Sequence, residues 1–296
     1  MSRGLLVCGA GGMLGGAVLA AAPGAGFAAV GLGRGELDIT DPGAVASALA
    51  AIGPQVVVNC AAWTDVDGAE SEREGAFAVN ATGAGVLARA AADVGARVVH
   101  VSTDYVFDGR GTRPYVESDP TDPQGVYGSS KLAGEREVLG ASERHAVLRT
   151  AWLFGAGGRN FVDTMLGLAE SGKREVSVVT DQVGCPTWTG HLAAALLALA
   201  AADAAGVLHG AAGGSCSWND LAVEVFRAAG RDVRVLPSTS AEFVRPAARP
   251  AYSVLGSERP EAPGLPGWRE GVRGYLGATG RLAGVGMDAQ SIGGTR

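Results

Sequence analysis

Leu5-Leu6-Val7-Cys8-Gly9-Ala10-Gly11-Gly12-Met13-Leu14-Gly15 joins a short apolar run to a glycine loop, and Gly16 to Ala22 beyond it can form a helix. Gly9, Gly12 and Gly15 recur every third residue between a candidate strand and a candidate helix, the position at which a dinucleotide pyrophosphate is held. Glycine permits the tight turn, lets backbone N–H groups approach the phosphates and lets the helix pack close to the sheet, while the helix N-terminus attracts negative charge. In a chain with 47 glycines a purely structural turn competes with that reading, and the downstream periodicity decides between them.

Phe27 to Leu32, Val56 to Cys60, Val98 to Val101 and Ala146 to Thr150 read as further strands. Helical stretches separate them at Pro42 to Ile52, with Asp41 as N-cap and Pro42 in the first turn, at about Glu70 to Val94, and at Ser129 to Leu139. The strands are continuously apolar, which a parallel sheet covered on both faces requires. The fold class is therefore α/β: a doubly wound parallel sheet (Rossmann) with a smaller C-terminal substrate-binding lobe. Residues 1–150 are expected to form the NAD(P)-binding domain and residues 151–280 mainly the substrate-binding lobe, with room for returns to the main sheet. The glycine-rich stretch 281–296 is expected to be a flexible tail.

Composition narrows the function. Lys+Arg 24 against Asp+Glu 30 gives a formal net charge of -6 and no basic stripe, so neither nucleic acid nor an anionic membrane is an expected partner. Cys8, Cys60, Cys185 and Cys216 are scattered, without a C-x-x-C pair, so neither a zinc knuckle nor a disulfide scaffold is indicated. The N-terminus lacks a signal-peptide pattern and no apolar run is long enough for a bilayer, so the expectation is a cytoplasmic protein.

The chain has two lysines, Lys131 and Lys173, and the first stands four residues after a tyrosine in Tyr127-Gly-Ser-Ser-Lys131. On a helix these two share a face and can address one nicotinamide ribose. A phenol titrates near 10, and a neighbouring ammonium is expected to favour the phenolate and bring proton transfer nearer neutral pH. Thr103, at the end of the fourth strand, offers a hydroxyl to the same carbonyl; Ser102 alternates with it, and Thr103 is the preferred choice. Arg34 follows the second strand, where it suits a 2'-phosphate, with a loop arginine as the competing reading. Asp38-Ile39 can close over the adenine, or Asp38 can cap a turn. With no acid immediately at the end of that strand, NADPH is the expected cofactor and NADH the alternative.

Taken together, Gly9-Ala-Gly-Gly-Met-Leu-Gly15, Leu37-Asp-Ile-Thr-Asp-Pro42, Asn59-Cys-Ala-Ala-Trp-Thr-Asp-Val-Asp67, Ser102-Thr-Asp-Tyr-Val-Phe-Asp-Gly109, Tyr127-Gly-Ser-Ser-Lys-Leu-Ala-Gly-Glu135, Arg149-Thr-Ala-Trp152, Asn160-Phe161 and Arg249-Pro250 resemble the extended short-chain dehydrogenase/reductase superfamily, and within it the dTDP-4-dehydrorhamnose reductase family. The resemblance implies Thr103, Tyr127 and Lys131 as the catalytic set. It implies a cofactor site of Gly9, Gly12, Met13, Leu14, Gly15, Ala61, Ala62, Thr64 and Asn80. Thr103, Asp104, Tyr105, Trp152, Asn160 and Arg249 would grip a nucleotide sugar, Trp152 as a flat wall and Arg249 at the diphosphate.

The implied reaction is reduction of the C4 ketone of dTDP-4-dehydro-6-deoxy-L-mannose to dTDP-L-rhamnose. The alternatives are another dTDP-4-keto-deoxysugar, as in dTDP-dihydrostreptose formation, and a non-catalytic nucleotide-binding regulatory subunit. A dehydratase would present a glutamate where Tyr105 follows Asp104. No metal site is assigned, since Asp288 is the single acid after Glu270, and a monomer and a homodimer both stay open.

Overall fold

The computed structural model describes residues 2–202 and 204–284. Six strands form one parallel sheet: β1 (Arg3–Cys8), β2 (Phe27–Leu32), β3 (Val56–Asn59), β4 (Arg97–Thr103), β5 (Ala146–Thr150) and β6 (Gly206–His209). Their spatial order is β6-β5-β4-β3-β1-β2. The chain winds one way from β1 to β2 and the other way from β3 onward, so a crevice opens between the carboxyl ends of β1 and β3.

Strand alternation sends neighbouring side chains into two separate cores. Leu5 and Val7 pack with Leu14 and Val18 of α1 (Met13–Ala21) and with Leu192 and Leu196 of the helix Thr189–Ala201. Leu6 and Cys8 join Val45 and Leu49 of α2 (Pro42–Ile52) and Leu87 of α3 (Ala84–Asp93) on the opposite face. Asp41 Oδ1 caps α2, accepting from the N–H groups of Gly43 at 2.8 Å and Ala44 at 3.1 Å. A third core, including Phe154, Leu166, Leu221, Phe226, Trp268 and Val272, lies in the C-terminal half. From that half the chain returns to the sheet, where β6 pairs with β5.

Several elements depart from the sequence reading. Helix α1 begins at Met13 rather than Gly16, because Gly12 takes the N-cap position and the end of the glycine loop is already the first turn. The single helix expected from Glu70 to Val94 is broken into Gly68–Ser71, Arg73–Phe77, a π-helical turn over Ala78–Gly83, and α3. Glu72 leaves helical geometry at φ -115° and ψ 47°. At the π turn, Asn80 reaches out of the helix to Trp63 and Ser130, a long-range demand that no local periodicity records. Helix Trp268–Ala278 was not anticipated, and of the expected tail only residues 281–284 are described.

The helix α4 (Val126–Ala141) carries Tyr127 and Lys131. Glu135, one turn further along the same face, accepts from Arg149 Nε at 2.9 Å and Nη2 at 2.7 Å and from Ser102 Oγ at 2.5 Å, with the ion pair almost wholly buried. Glu135→Ala, which leaves the Arg149 guanidinium buried without its carboxylate, is expected to cost about 3–5 kcal/mol of unfolding free energy in urea denaturation. A loss below about 1 kcal/mol would show that the pair does not anchor the helix.

Candidate active site

The glycine loop is built by close approach. Gly9 sits at φ +76°, and a Cβ there would lie 2.6 Å from Ala61 N; one on Gly15 would lie 2.3 Å from Gly9 O. Both positions therefore require glycine. Gly12 donates its N–H to Gly9 O at 3.1 Å, which closes the turn. A Cβ on Gly11 would meet nothing within 4 Å, and α1 starts without a side-chain cap or an acid in its first turn. Open space beside Gly11, at the positive end of an uncapped helix, suits an anion such as a pyrophosphate. Leu14 is buried in the core, and Met13 packs against Gly158.

At the end of β2, Arg34 is exposed and Asp38 is occupied locally. Its carboxylate accepts from Thr40 Oγ1 at 2.7 Å and Thr40 N at 2.9 Å, and these bonds hold it below the usual carboxylate range. Ile39 is buried beneath Gly83. Glu36 was missed by the sequence reading: its Oε2 accepts from Gly33 N at 2.8 Å, and a Cβ on Gly33 would lie 3.5 Å from that oxygen and 3.8 Å from Gly11 N. An acid thus does stand beside the loop, brought back by the turn Gly33-Arg34-Gly35-Glu36. That glycine-flanked turn was the available signal.

Beyond β3, Ala61 backs onto Gly9 and donates its N–H to Asn59 Oδ1 at 3.0 Å; Ala62 is half-buried and Thr64 exposed. Asn80 is wholly buried, with Oδ1 accepting from Trp63 N at 2.8 Å and Nδ2 donating to Trp63 O at 3.1 Å and Ser130 Oγ at 3.0 Å. Its side chain braces the β3 loop against α4.

Thr103 and Tyr127 converge at the end of β4. Ser102 is committed to Glu135, whereas the Thr103 hydroxyl donates to Asp104 Oδ1 at 3.0 Å and accepts from Tyr105 N at 3.2 Å, close enough to the Tyr127 phenol to favour its deprotonated form. A phenol and a hydroxyl so placed can polarise and protonate one carbonyl oxygen. Burial pushes the Tyr127 phenol up to about 12, opposed by Thr103 and reinforced by Asp104. The expected lowering by Lys131 is absent from this geometry. The lysine Nζ instead faces His100 Nε2 at 3.2 Å and Val101 O at 2.7 Å, and burial brings it down to about 8.

Tyr105 packs edge-on against Tyr127 at 5.6 Å and lines a cleft with Phe107, Gln124, Arg249 and Pro250. Arg249 is held at that cleft by Asp67, with Nη2 to Oδ2 at 2.9 Å. Trp152 has a left-handed backbone at φ +47° and stacks on Trp218 with ring centres 3.6 Å apart; a Cβ on Gly184 would lie 2.4 Å from its ring. These contacts hold the Trp152 ring within the fold, and its partner Trp218 had no signal in the sequence. Asn160 caps the helix Phe161–Glu170, accepting from Asp163 N at 2.9 Å, and its Nδ2 donates to Gly155 O, Gly158 O and Asp163 Oδ2. Among the described residues no group of three or more His, Cys, Asp or Glu side chains is placed to hold a metal, and no helix is long and apolar enough to cross a membrane. Asp288 lies outside the described residues.

Burial raises Asp104 from the ordinary 3.8 to about 6, against hydrogen bonds that favour its charged form. The folded protein holds this proton more tightly than the unfolded chain, so the stability it contributes is present below about pH 4 and is lost as pH rises through about 6. Asp104→Asn keeps an acceptor for Thr103 and removes the ionisation. Its stability relative to the unsubstituted protein is expected to rise between about pH 4 and pH 6 and level off about 3 kcal/mol higher. A difference that stays flat across urea titrations in that range would contradict the assignment.

The family model described as the RmlD substrate binding domain matches residues 3–280. A dTDP-4-dehydrorhamnose reductase of Streptomyces griseus is 52% identical over 267 residues, covering 88% of each chain. A probable dTDP-4,6-dihydroxy-2-methyloxan-3-one 4-ketoreductase of Streptomyces antibioticus is 47% identical over 253 residues, covering 82% of this chain and 84% of that protein. Among solved structures, a dTDP-4-dehydrorhamnose reductase of Bacillus anthracis in complex with NADP superposes with a TM-score of 0.91 at 36% identity, over 94% of this chain and all of that one.

Proposed function

The chain belongs to the RmlD/dTDP-4-dehydrorhamnose reductase family of NAD(P)-dependent oxidoreductases, and from that premise we propose that it reduces the C4 ketone of dTDP-4-dehydro-6-deoxy-L-mannose to dTDP-L-rhamnose. The observation that carries this reading is the convergence of Thr103 and Tyr127 at the end of β4, beside the cleft lined by Tyr105 and Arg249. When bound, the reduced nicotinamide supplies a hydride to the carbonyl carbon. Thr103 orients the carbonyl oxygen and Tyr127 gives it the phenolic proton, so ketone, hydride and proton become a secondary alcohol. The tyrosinate left behind regains a proton before the next turnover, and Lys131, one turn along the same helix, is the titratable group nearest to it on α4.

Gly9, Gly12 and Gly15 shape the pyrophosphate seat, and the first-turn N–H groups of Met13 and Leu14 close it. Ala61 and Ala62 form the wall across from the loop. Arg34 favours NADPH by pairing with a 2'-phosphate. Glu36, which suits a ribose hydroxyl, keeps NADH usable. Arg249 serves the substrate diphosphate, with Asp67 holding the guanidinium ready. The Streptomyces antibioticus relative favours a second reading, in which the same hydride and proton reach the ketone of a different dTDP-keto-deoxysugar.

Incubation with dTDP-4-dehydro-6-deoxy-L-mannose and each nicotinamide cofactor, with the product's stereochemistry determined, tests the reading. Formation of dTDP-L-rhamnose with faster NADPH than NADH oxidation is expected. Turnover of only another dTDP-keto-sugar would move the assignment to the second reading, and turnover of none would leave a non-catalytic nucleotide-binding subunit. Tyr127→Phe is expected to reduce turnover by about 10²–10⁴-fold while cofactor binding, followed by fluorescence, is retained. Unchanged turnover would remove Tyr127 from the proton path.

A further inference from the structure

Behind the cleft, a line of buried groups runs from the end of β3 to α4. Asn59, His100 and Lys131 are 1%, 0% and 2% exposed. The Ala61 N–H fixes the Asn59 amide by donating to Oδ1 at 3.0 Å, which leaves Nδ2 facing His100 Nδ1, also at 3.0 Å. An amide nitrogen only donates, so Nδ1 accepts, and a neutral imidazole that accepts at Nδ1 carries its proton on Nε2. That Nε2 lies 3.2 Å from Lys131 Nζ, which also donates to Val101 O. An N–H directed at Nζ meets the lone pair of an amine but opposes an ammonium.

We infer that His100, held by Asn59 as the Nε2–H tautomer, is a positioning residue that weakens proton binding at Lys131. The other groups facing Lys131 do not supply that effect by charge. The Cys60 thiol, pushed up to about 12 by burial, stays neutral. Glu135 favours the ammonium, although Arg149 and Ser102 already hold its carboxylate. Tyr127 stands one turn earlier on α4, protonated. Burial acts in the same direction as His100 on Lys131, and burial together with the lysine charge keeps the imidazole neutral. In the reaction proposed above, a lysine able to release its proton can restore the Tyr127 phenol between turnovers. That consequence rests on the proposed reaction, whereas the titration itself does not.

The two lysines make the test direct, because Lys173 is exposed and serves as an internal reference. In the full chain labelled with ¹³C at the lysine ε-carbon, Lys131 is expected to titrate at about 8. Ring ¹⁵N spectra, with His100 identified by its loss in His100→Phe, are expected to show its proton on Nε2. Asn59→Asp keeps an acceptor for Ala61 N but presents an acceptor to Nδ1. The imidazole proton then moves to Nδ1, and Lys131 is expected to titrate at least about one pH unit higher. His100→Phe preserves burial without the N–H and is expected to shift Lys131 in the same direction. Unchanged lysine titration in these variants would assign the effect to burial alone and overturn the inference. So would a proton on Nδ1 in the unsubstituted protein, a measurement that needs no variant to fold. A protein inactive on every dTDP-keto-sugar but showing these shifts would sink the proposed reaction and leave this inference standing.

Discussion

Glu135 and Arg149 form a carboxylate–guanidinium pair that tethers α4 to β5, and the Ser102 hydroxyl extends the tether to β4. Tyr127, Lys131 and Glu135 are spaced four apart, so they lie along one face of the helix, and fixing the last fixes the rotation of the other two. A buried ion pair is an expensive way to join two elements, because both charges leave water. What it supplies is direction: two N–H···O bonds in a fork admit one helix rotation, where apolar packing would tolerate several. Gly128 and Gly134 let the helix settle that closely; a Cβ on either would lie 2.2 Å from Tyr105 O or 2.0 Å from Asn80 O.

The crevice depends on a second close approach, between Gly9 and Ala61 across the switch point of the sheet. Because Ala61 also donates its N–H to Asn59, the joint that shapes the pyrophosphate seat orients the buried line leading to Lys131. Cofactor loop and proton-carrying helix are therefore positioned from a common point. Low polarity then governs the charges. Tyr127 and Asp104 are pushed up and Lys131 down, each toward its neutral form, as desolvation requires. In such a setting the Tyr127 phenol, at about 12, holds its proton more tightly than Lys131, at about 8, does.

Much of the fold was legible because its signals are local. Apolar runs with the length of strands, Asp41 before Pro42, and a glycine loop between a strand and a helix each express the conformational preferences of a few adjacent residues. Tyr127 and Lys131 were legible for the same reason, since a separation of four residues fixes a shared helical face. The breaks at Glu72 and at Ala78–Gly83 were not, because Asn80 obeys Trp63 and Ser130, residues 17 and 50 positions away. Glu36 was overlooked because it reaches the glycine loop only after a turn folds it back.

Short-range geometry along the sequence set the doubly wound sheet, the glycine loop at its first strand and the placing of Tyr127 and Lys131 on one helical face. Tertiary structure alone decided what each polar side chain faces. Asn80 and Asn160 became braces, Trp152 met Trp218, and the Lys131 amine turned to His100. Partners brought together from distant strands and helices set the solvation and hydrogen bonding of a group, and through them its charge, which spacing along the chain cannot encode.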